Sequence, residues 1–435
     1  MDDADRAALY GRGLDAIFDP ELRASIGRLI DDVRTRGDVA VCDALARYDG
    51  VTVAPGDLRV TDHEITAATI APEVDVAIDD AIAHVRAFSE HQLARLTDWS
   101  FEAEPGLVVG EKLTAVASAG LFVPSGKASY PSVAYQLATP ATVAGVEQIV
   151  LVVPPIPGRA DAAVDPAVLV VCRKLGITDV FRVNGPAGVA ALGFGTESIP
   201  QVRMIVGPGS PAVTLAQIEM QRYGVTTMML LGPTESVVIA DGSADPTRLA
   251  ADLLIEAEHG TDSTVVLLTP EETLSVAVDA ALATQLADLP DVRATAARAA
   301  LGVNGGCILT ADLGEAVAIA NRIAPEHLQV AVDTSVENET VDALVNAGEI
   351  LVGQDTPFSA ANFVIGCPAS LPTSGFADVS SGVTAMTFLK RTAIARADPT
   401  ALKRMAPSIL ALADHEGFPA HGAAIRRRAL WPASG

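Results

Sequence analysis

The segment Val202-Arg203-Met204-Ile205-Val206-Gly207-Pro208-Gly209 decides the fold class, because an apolar run meets a Gly-Pro turn before a helical stretch. The same pattern recurs at 180–183 before Gly185-Pro186, and at 228–231 before Gly232-Pro233. Strand, tight turn and helix in succession indicate βαβ units around a parallel sheet. Similar apolar runs predict further strands at 107–109, 118–123, 149–153, 237–240, 265–268, 306–309 and 349–352.

The two ends of the chain have a different pattern of apolar and charged residues. Residues 1–100 carry apolar side chains at spacings of three and four, which predicts a helical region. The last sixty residues or so return to helix, and most of their charged side chains are basic. We assign no chemistry to the first hundred residues.

Length and charge limit the class of protein. A chain of 435 residues predicts two or three domains, at about 150 residues per domain. Hydrophobic residues make up 49% of it, so large buried cores are expected. The formal net charge of −24 argues against nucleic acids and anionic membranes as partners, because both attract basic surfaces.

Cysteine usage and the N-terminus bear on the compartment. The four cysteines are far apart and form no C-x-x-C pair, which argues against a disulfide framework or a thiolate zinc knuckle. The acidic start Met1-Asp2-Asp3-Ala4-Asp5 lacks the charged-then-apolar pattern of a signal peptide. We therefore expect a cytoplasmic protein.

The glycine-rich turns permit two interpretations. Turns at the carboxyl ends of parallel strands often hold phosphates on helix N-termini. No G-x-G-x-x-G fingerprint with a following acidic residue lies on a strand–helix junction, however. The glycines could equally serve only to let the chain turn tightly.

Two short motifs combine a carboxylate with an imidazole. Glu256 and His259 are three residues apart and share a helix face, which is half of a metal site or else a solvated pair. In Pro325-Glu326-His327, the Glu can act as a base toward water and the His as a proton shuttle. The alternative is a helix-start Glu beside a partly buried His. In the tail, Glu416 and His421 are either site residues or members of a polar turn.

Together these residues resemble the histidinol dehydrogenase family over nearly the whole chain. Matching segments occur in the family's order, and they are Gly120–Pro124, Leu137–Ala141, Ala190–Glu197, Gly207–Gly209, Gly232–Glu235, Ala257–Gly260, Pro325–Leu328 and Leu371–Thr373. The resemblance implies an α/β fold of two Rossmann-like parallel-sheet domains with helical N-terminal and C-terminal extensions. It also implies a small-molecule alcohol as substrate, NAD and Zn²⁺ as cofactors, and a homodimer with sites shared between subunits.

The resemblance also implies the domain boundaries. Residues 1–24 form the N-terminal extension, and residues 129–235 form the NAD-binding domain. Residues 25–128 together with 236–376 form the metal and catalytic domain. Residues 377–435 form a tail that reaches the partner subunit, and its basic character suits docking on an otherwise acidic chain.

By resemblance, the reaction oxidises a primary alcohol through a held aldehyde to a carboxylate, in two NAD-dependent steps. Glu326 activates the water that attacks the aldehyde, and His327 moves protons in both steps. His259 and His421 match zinc ligands of the family. Glu256 stands where the family has Gln and Asn362 where it has Asp, so the two changes exchange a carboxylate and an amide.

Substrate and cofactor positions differ as well. Thr234 replaces a substrate-contacting Ser, and Glu416 is a retained substrate contact. Pro368-Ala369 replaces an Asn-His pair whose His faces the substrate. At the NAD site, Tyr130 is retained, while Ala187 stands for Gln and Ser210 for Asn.

Three functions remain open from the sequence. The first is an NAD-dependent, zinc-assisted oxidation of a primary alcohol other than histidinol, as in relatives that oxidise a sulfonated propanediol. The second is ordinary L-histidinol dehydrogenase of histidine biosynthesis. The third is a non-catalytic ligand-binding relative. The changed substrate positions favour the first, and the retained Glu326 and His327 argue against the third.

Overall fold

The computed structural model describes residues 9–11, 18–124, 130–159, 161–228 and 232–429. Strands are numbered in chain order: β1 Trp99–Glu104, β2 Leu107–Ala115, β3 Ser118–Phe122, β4 Gln148–Val153, β5 Asp179–Arg182, β6 Met204–Val206, β7 Thr226–Thr227, β8 Glu235–Ala240, β9 Thr264–Thr269, β10 Gly306–Leu309, β11 His327–Ala331, β12 Glu349–Val352 and β13 Leu389–Ala397.

Helices are numbered in the same way: α1 Pro20–Arg36, α2 Asp38–Ala44, α3 Asp62–Ala67, α4 Pro72–Leu93, α5 Pro131–Ala144, α6 Pro166–Leu175, α7 Gly185–Phe194, α8 Pro211–Met220, α9 Pro246–Ala257, α10 Glu272–Gln285, α11 Asp291–Gly302, α12 Leu313–Ile323, α13 Thr334–Ala343, α14 Phe358–Phe363, α15 Pro399–His415 and α16 Pro419–Ala429. The chain divides into unit 1, Met1–His91 with Val116–Phe388, and unit 2, Gln92–Ala115 with Leu389–Gly435.

Unit 1 contains two five-stranded parallel sheets with the same winding. Their strand orders are β5-β4-β3-β6-β7 and β10-β9-β8-β11-β12. In each sheet the strand that comes first in the chain lies at the centre. The second and third strands lie on one side of it, and the fourth and fifth lie on the other side. This is the order of the first five strands of a Rossmann fold. The predicted fold class, with two Rossmann-like parallel-sheet domains, is confirmed.

Helices cover both faces of the first sheet. Neighbouring residues of β4 point to opposite sides, so Leu151 joins the core with α4, α5 and α6, whereas Val150 joins the core with α1, α2, α7 and α8. Strand β3 pairs with β4 and β6. The segment 25–128, predicted to belong to the metal and catalytic domain, therefore packs largely with the first sheet, because its helices fill the faces of that sheet.

The second sheet is covered in the same manner. Side chains of α9, α10, α11 and α14 form the core on one face. Side chains of α12 form the core on the other face. Buried strands such as Val265–Leu268 have nearly continuous apolar side chains, as expected for a parallel sheet that is covered on both sides.

Unit 2 contains the predicted strand 107–109, as part of β2, and two strands that the sequence did not predict. Its sheet has the order β1-β2-β13 and is antiparallel, and the tail continues into α15 and α16. The side chains of β1 are exposed and those of β13 nearly all so. Without a buried face these strands have no apolar run, and for this reason β1 and β13 escaped prediction.

Three further predictions need comment. Strand β11 was missed, because Pro325-Glu326-His327 suggested a turn or a helix start. The predicted strand 228–231 lies mostly outside the described residues, and the structure has β7 at Thr226–Thr227 instead. Most of the predicted N-terminal extension 1–24 also lies outside them. None of the described helices is both long and apolar enough to span a bilayer.

Candidate active site

Acidic side chains gather where three neighbouring strands of the second sheet begin. Glu235 starts β8, Glu326 immediately precedes β11, and Glu349 starts β12. In the sheet register, His327 pairs with Ser236 on one side and with Glu349 on the other. This group therefore lies at the amino edge of the sheet, whereas ligands of open α/β sheets usually bind at the carboxyl edge.

The chain turns sharply just before Glu326. Helix α12 ends at Ile323, and Ala324 adopts the left-handed conformation with a φ of 47°. Pro325 follows and cannot continue a helix. Glu326 and His327 thus enter the sheet side by side, and both are buried. The alternative of a helix-start Glu beside a partly buried His is wrong, because the segment leads into β11, an interior strand of the sheet, and the His is buried.

Each nitrogen of the His327 ring faces a carboxylate. Nδ1 lies 2.5 Å from Oε1 of Glu349, and Nε2 lies 3.7 Å from Oε1 of Glu326. The ring packs edge-on against Phe358, with 5.9 Å between ring centroids. The other oxygen of Glu326 accepts a hydrogen bond from the backbone N–H of Glu235 at 3.1 Å. These contacts fix the imidazole between two acids.

Burial and charge make this pair unusually basic. Burial raises the pKa of Glu326 to about 8, since the neighbouring His327 offsets only part of the cost of a buried charge. Burial alone would lower the pKa of His327, but the negative charges of Glu256, Glu326 and Glu349 outweigh it and raise this pKa to about 10. Glu326 and His327 can therefore both accept and release protons close to the pH range in which enzymes work.

The candidate metal ligands come from the ends of two helices at the same edge. Glu256, in the last turn of α9, is fully buried. The amide nitrogen of Asn362, in α14, donates to Oε1 of Glu256 at 2.6 Å. Nδ1 of His259 lies 3.3 Å from Oε2 of Glu256 and 3.3 Å from the hydroxyl of Thr234. Tyr135 steadies α14 by donating to the carbonyl of Phe363 at 2.7 Å.

These residues fit a zinc ion. Oε2 of Glu256 is buried and accepts no hydrogen bond from any described residue, although Nδ1 of His259 is nearby, as expected of two groups that face a shared cation. Within the described residues, no three His, Cys, Asp or Glu side chains form a metal-binding cluster. The third candidate in unit 1 is the amide Asn362. Imidazole and carboxylate are usual zinc ligands, and an amide oxygen is a weaker one.

The structure places the two predicted tail residues in unit 2. Glu416 directly follows α15, and His421 lies in the first turn of α16. Both are exposed. The ring of His421 lies against Phe418, with 5.1 Å between the ring centroids.

A cavity of about 380 Å³ lies at the carboxyl edge of the first sheet. Its lining includes Ala187 and Ser210, at the N-terminal ends of α7 and α8. Tyr130 precedes α5 and is not among its lining residues. Close to its wall, a side chain on Gly207 would collide with the carbonyl of Phe122, so this glycine is required for the approach of β6 to β3. The turn thus serves packing and also borders the cavity.

Two residues of the site were missed from the sequence. Glu235 and Glu349 were included in predicted turns or strands without any chemical role. The signal that could have found them is a glutamate directly before a buried apolar strand, which recurs at Glu235, Glu326 and Glu349. Only the strand order shows that these three positions are neighbours.

Comparisons with known proteins agree with one another. A family model described as histidinol dehydrogenase matches residues 16–429. Histidinol dehydrogenase of Rhizobium meliloti is 40% identical over 411 residues, covering 94% of this chain and 92% of the relative. The enzyme of that name from Methanosarcina barkeri is 34% identical over 412 residues, covering 94% and 92%. The crystal structure of histidinol dehydrogenase from Elizabethkingia anophelis superposes with a TM-score of 0.90 at 30% identity, covering 98% and 96% of the two chains.

Proposed function

Because the chain belongs to the histidinol dehydrogenase family of NAD-dependent, zinc-binding oxidoreductases, we propose that it oxidises L-histidinol in two steps to the carboxylate. The observation that carries this proposal is the buried Glu326–His327 pair, whose pKa values are both raised. Once both groups have lost their protons at alkaline pH, such a pair supplies the two proton acceptors that an alcohol oxidation followed by an aldehyde oxidation requires.

The two residues divide the proton transfers. In the first step, Nε2 of His327 takes the hydroxyl proton of the alcohol, and bound NAD would accept the hydride from the alcohol carbon. In the second step, Glu326 takes a proton from water as the water oxygen bonds to the aldehyde carbon, and His327 returns its proton to the former carbonyl oxygen, which gives the hydrate. His327 then takes a hydroxyl proton of the hydrate, a second bound NAD would accept the hydride from its carbon, and the carboxylic acid is left.

The charge of the site favours a cationic substrate. Glu235, Glu256, Glu326 and Glu349 are all buried near the amino edge of the second sheet. A bound cation relieves the repulsion among such carboxylates, whereas an anionic alcohol would add to it. An amino alcohol with an imidazole, such as histidinol, meets this requirement together with zinc.

The cofactors follow the family. Zinc would be held by Glu256, His259 and Asn362, with His421 of a second subunit as fourth ligand, and would orient the substrate as a Lewis acid. NAD would bind in the cavity lined by Ala187 and Ser210, with Tyr130 near it. The residues of this chain bind and orient the substrate and transfer its protons.

A second candidate is the oxidation of a different primary alcohol. The sequence alone favours it, through Pro368-Ala369 and the exchanged Glu256 and Asn362. The comparisons favour histidinol instead, since the relatives of that name match almost the whole chain. We therefore propose histidinol, and not a different alcohol, as the substrate.

A substrate panel tests these alternatives. Zinc-loaded protein is incubated with NAD and with L-histidinol, other cationic amino alcohols, neutral primary alcohols and a sulfonated propanediol. We expect histidinol to be the best substrate and to yield two NADH per molecule. Faster turnover of a neutral or anionic alcohol would favour the second candidate. No turnover of any alcohol would favour the non-catalytic binding protein.

Sharing of sites between subunits has its own test. We propose that Glu416 and His421 act in the site of a second subunit, as the family resemblance implies. Glu326→Gln and His421→Ala each inactivate one part of the site. If each site combines both parts, a heterodimer of the two variants regains one intact site and up to half of the specific activity. Mixed variants that stay as inactive as either parent would contradict the sharing.

A further inference from the structure

We propose that Glu349 is a positioning residue for His327, which holds the proton on Nδ1 so that Nε2 faces Glu326 and the substrate. This inference rests on the proposed function and deepens it, because it assigns a role to a side chain that touches no substrate.

The sheet itself fixes the two residues against each other. His327 and Glu349 are register partners on the parallel strands β11 and β12. The backbone N–H of Glu349 donates to the carbonyl of Glu326 at 3.1 Å, and that of Gly348 donates to Pro325 at 2.9 Å. A side chain on Gly348 would collide with the Glu326 carbonyl, so a glycine is needed for this close approach.

The side-chain contact has the form of a charge-assisted hydrogen bond. Nδ1 of His327 lies 2.5 Å from Oε1 of Glu349, and both side chains are about 95% buried. A carboxylate can only accept here, so Nδ1 must carry the proton. Nε2 of the neutral ring is then left with its lone pair, which can accept the alcohol proton.

Glu349 is not arranged as a structural link. Its second oxygen, Oε2, is buried and has no hydrogen-bond partner among the described residues. A carboxylate that served only to connect strands would use both oxygens, since an unsatisfied buried oxygen is costly. In the described part of the chain, the side chain of Glu349 makes one hydrogen bond, to His327, so its charge acts on that ring.

The charged groups around His327 define what should change when Glu349 is neutralised. Glu326 adjoins the ring on its own strand, Glu349 faces it from β12, and Glu256 faces it from α9. Removing one of three negative charges makes the imidazolium easier to deprotonate. The thiol of Cys367 also senses the charge of Glu349.

Glu349→Gln tests the proposal, because it keeps the shape and one acceptor oxygen but removes the charge. We expect a fall in kcat of about 10- to 100-fold, as for other residues that orient a functional imidazole. The KM for NAD should stay unchanged, and the acid limb of the kcat profile should move to lower pH by about one unit or more. A purely structural role would not move this limb.

Asp252→Asn is the matched control. Asp252 is also a buried carboxylate, and it accepts from Nε2 of Gln329 at 2.8 Å, two residues along the strand from His327. We expect the control to keep the acid limb of the wild type, even if its stability falls. A Glu349→Gln enzyme with the kcat and pH profile of the wild type would overturn the proposal.

A spectroscopic test requires no turnover. Protein labelled with ¹⁵N-histidine should show, besides the rings of His84 and His91, whose Nδ1 atoms donate to backbone carbonyls, a ring whose protonated Nδ1 is hydrogen-bonded to a carboxylate. The folded His327→Asn variant should lack this signal. An unprotonated Nδ1 on His327 in the neutral ring would overturn the proposal. Because this test needs no substrate, it stays informative even if histidinol is not oxidised.

Discussion

The amide of Asn362 donates to the carboxylate of Glu256 at 2.6 Å, across the ends of α14 and α9. By resemblance, the family has an amide, Gln, at the position of Glu256 and an acid, Asp, at the position of Asn362. The two groups are therefore exchanged in this chain. The pair thus retains one negative charge and one amide at the proposed zinc site. A double substitution that exchanges the two groups changes their positions but not the total charge, whereas a single substitution changes the charge.

Asn362→Asp alone should destabilise the metal-free protein. It replaces a partly buried hydrogen bond by two adjacent carboxylates, at a cost of about 1–3 kcal/mol. Zinc should restore the loss, because it neutralises both acids. Thermal unfolding with chelator and with added zinc measures this difference. The double variant Glu256→Gln with Asn362→Asp should unfold near the wild type under both conditions. A single variant as stable as the wild type in chelator would contradict the proximity of these groups.

Glu326→Gln should separate the two oxidation steps. The amide cannot accept a proton from water, so aldehyde oxidation should slow by about 100-fold or more. Alcohol oxidation depends on His327 and should change much less. Single-turnover measurements that start from the alcohol or from the aldehyde measure the steps separately. Equal losses in both steps would rule out a role for Glu326 specific to water.

The rate of aldehyde oxidation should rise with pH. Burial raises the pKa of Glu326 to about 8, so below that pH the carboxyl group is largely protonated and cannot act as a base. Aldehyde oxidation should therefore fall as the pH drops through about 8. Rates at saturating NAD, from about pH 6 to pH 10, test this expectation. A rate that stays constant over this range would show that Glu326 ionises normally.

The free energy of unfolding should fall as the pH rises, whereas the rate of aldehyde oxidation should rise. The pKa of Glu326 in the folded state lies above its ordinary value of 4.5, so its protonated form is favoured on folding. This contribution is fully present below pH 4.5 and is lost as the pH rises through about 8. The melting temperature of Glu326→Gln should therefore decline less between pH 5 and pH 8 than that of the wild type. Parallel melting curves would argue against a buried, titrating Glu326.

Thiol reagents should leave the activity intact. Burial raises the pKa of Cys42 to about 11 and of Cys172 to about 12, and it also raises those of Cys307 and Cys367. Few thiolates exist at neutral pH, and none takes part in the proposed chemistry. Iodoacetamide treatment, followed by mass spectrometry and an assay, measures both modification and activity. Inactivation that substrate prevents would point to a thiol in the site.

The parallel strands with Gly-Pro turns were predictable, because burial on both faces leaves continuous apolar runs such as Ile149–Val153. The exposed strands β1 and β13 were not, because strands without a buried face have no apolar run. Glu326 and His327 stand out as a motif in the sequence. Glu349 does not, because its place beside His327 depends on strand order and register, which local sequence does not encode.

The sheet of unit 2 also constrains the order of folding. Strand β2 ends at Ala115 and its partner β13 begins at Leu389, so the larger part of unit 1, Val116–Phe388, separates the two paired segments in the chain. Such distant pairing carries a large loop-closure cost and forms late. During synthesis, β2 leaves the ribosome long before β13 exists. The hairpin β1–β2 must therefore wait with an unpaired edge until the chain is almost complete, and a truncation before residue 389 leaves that edge open to other chains.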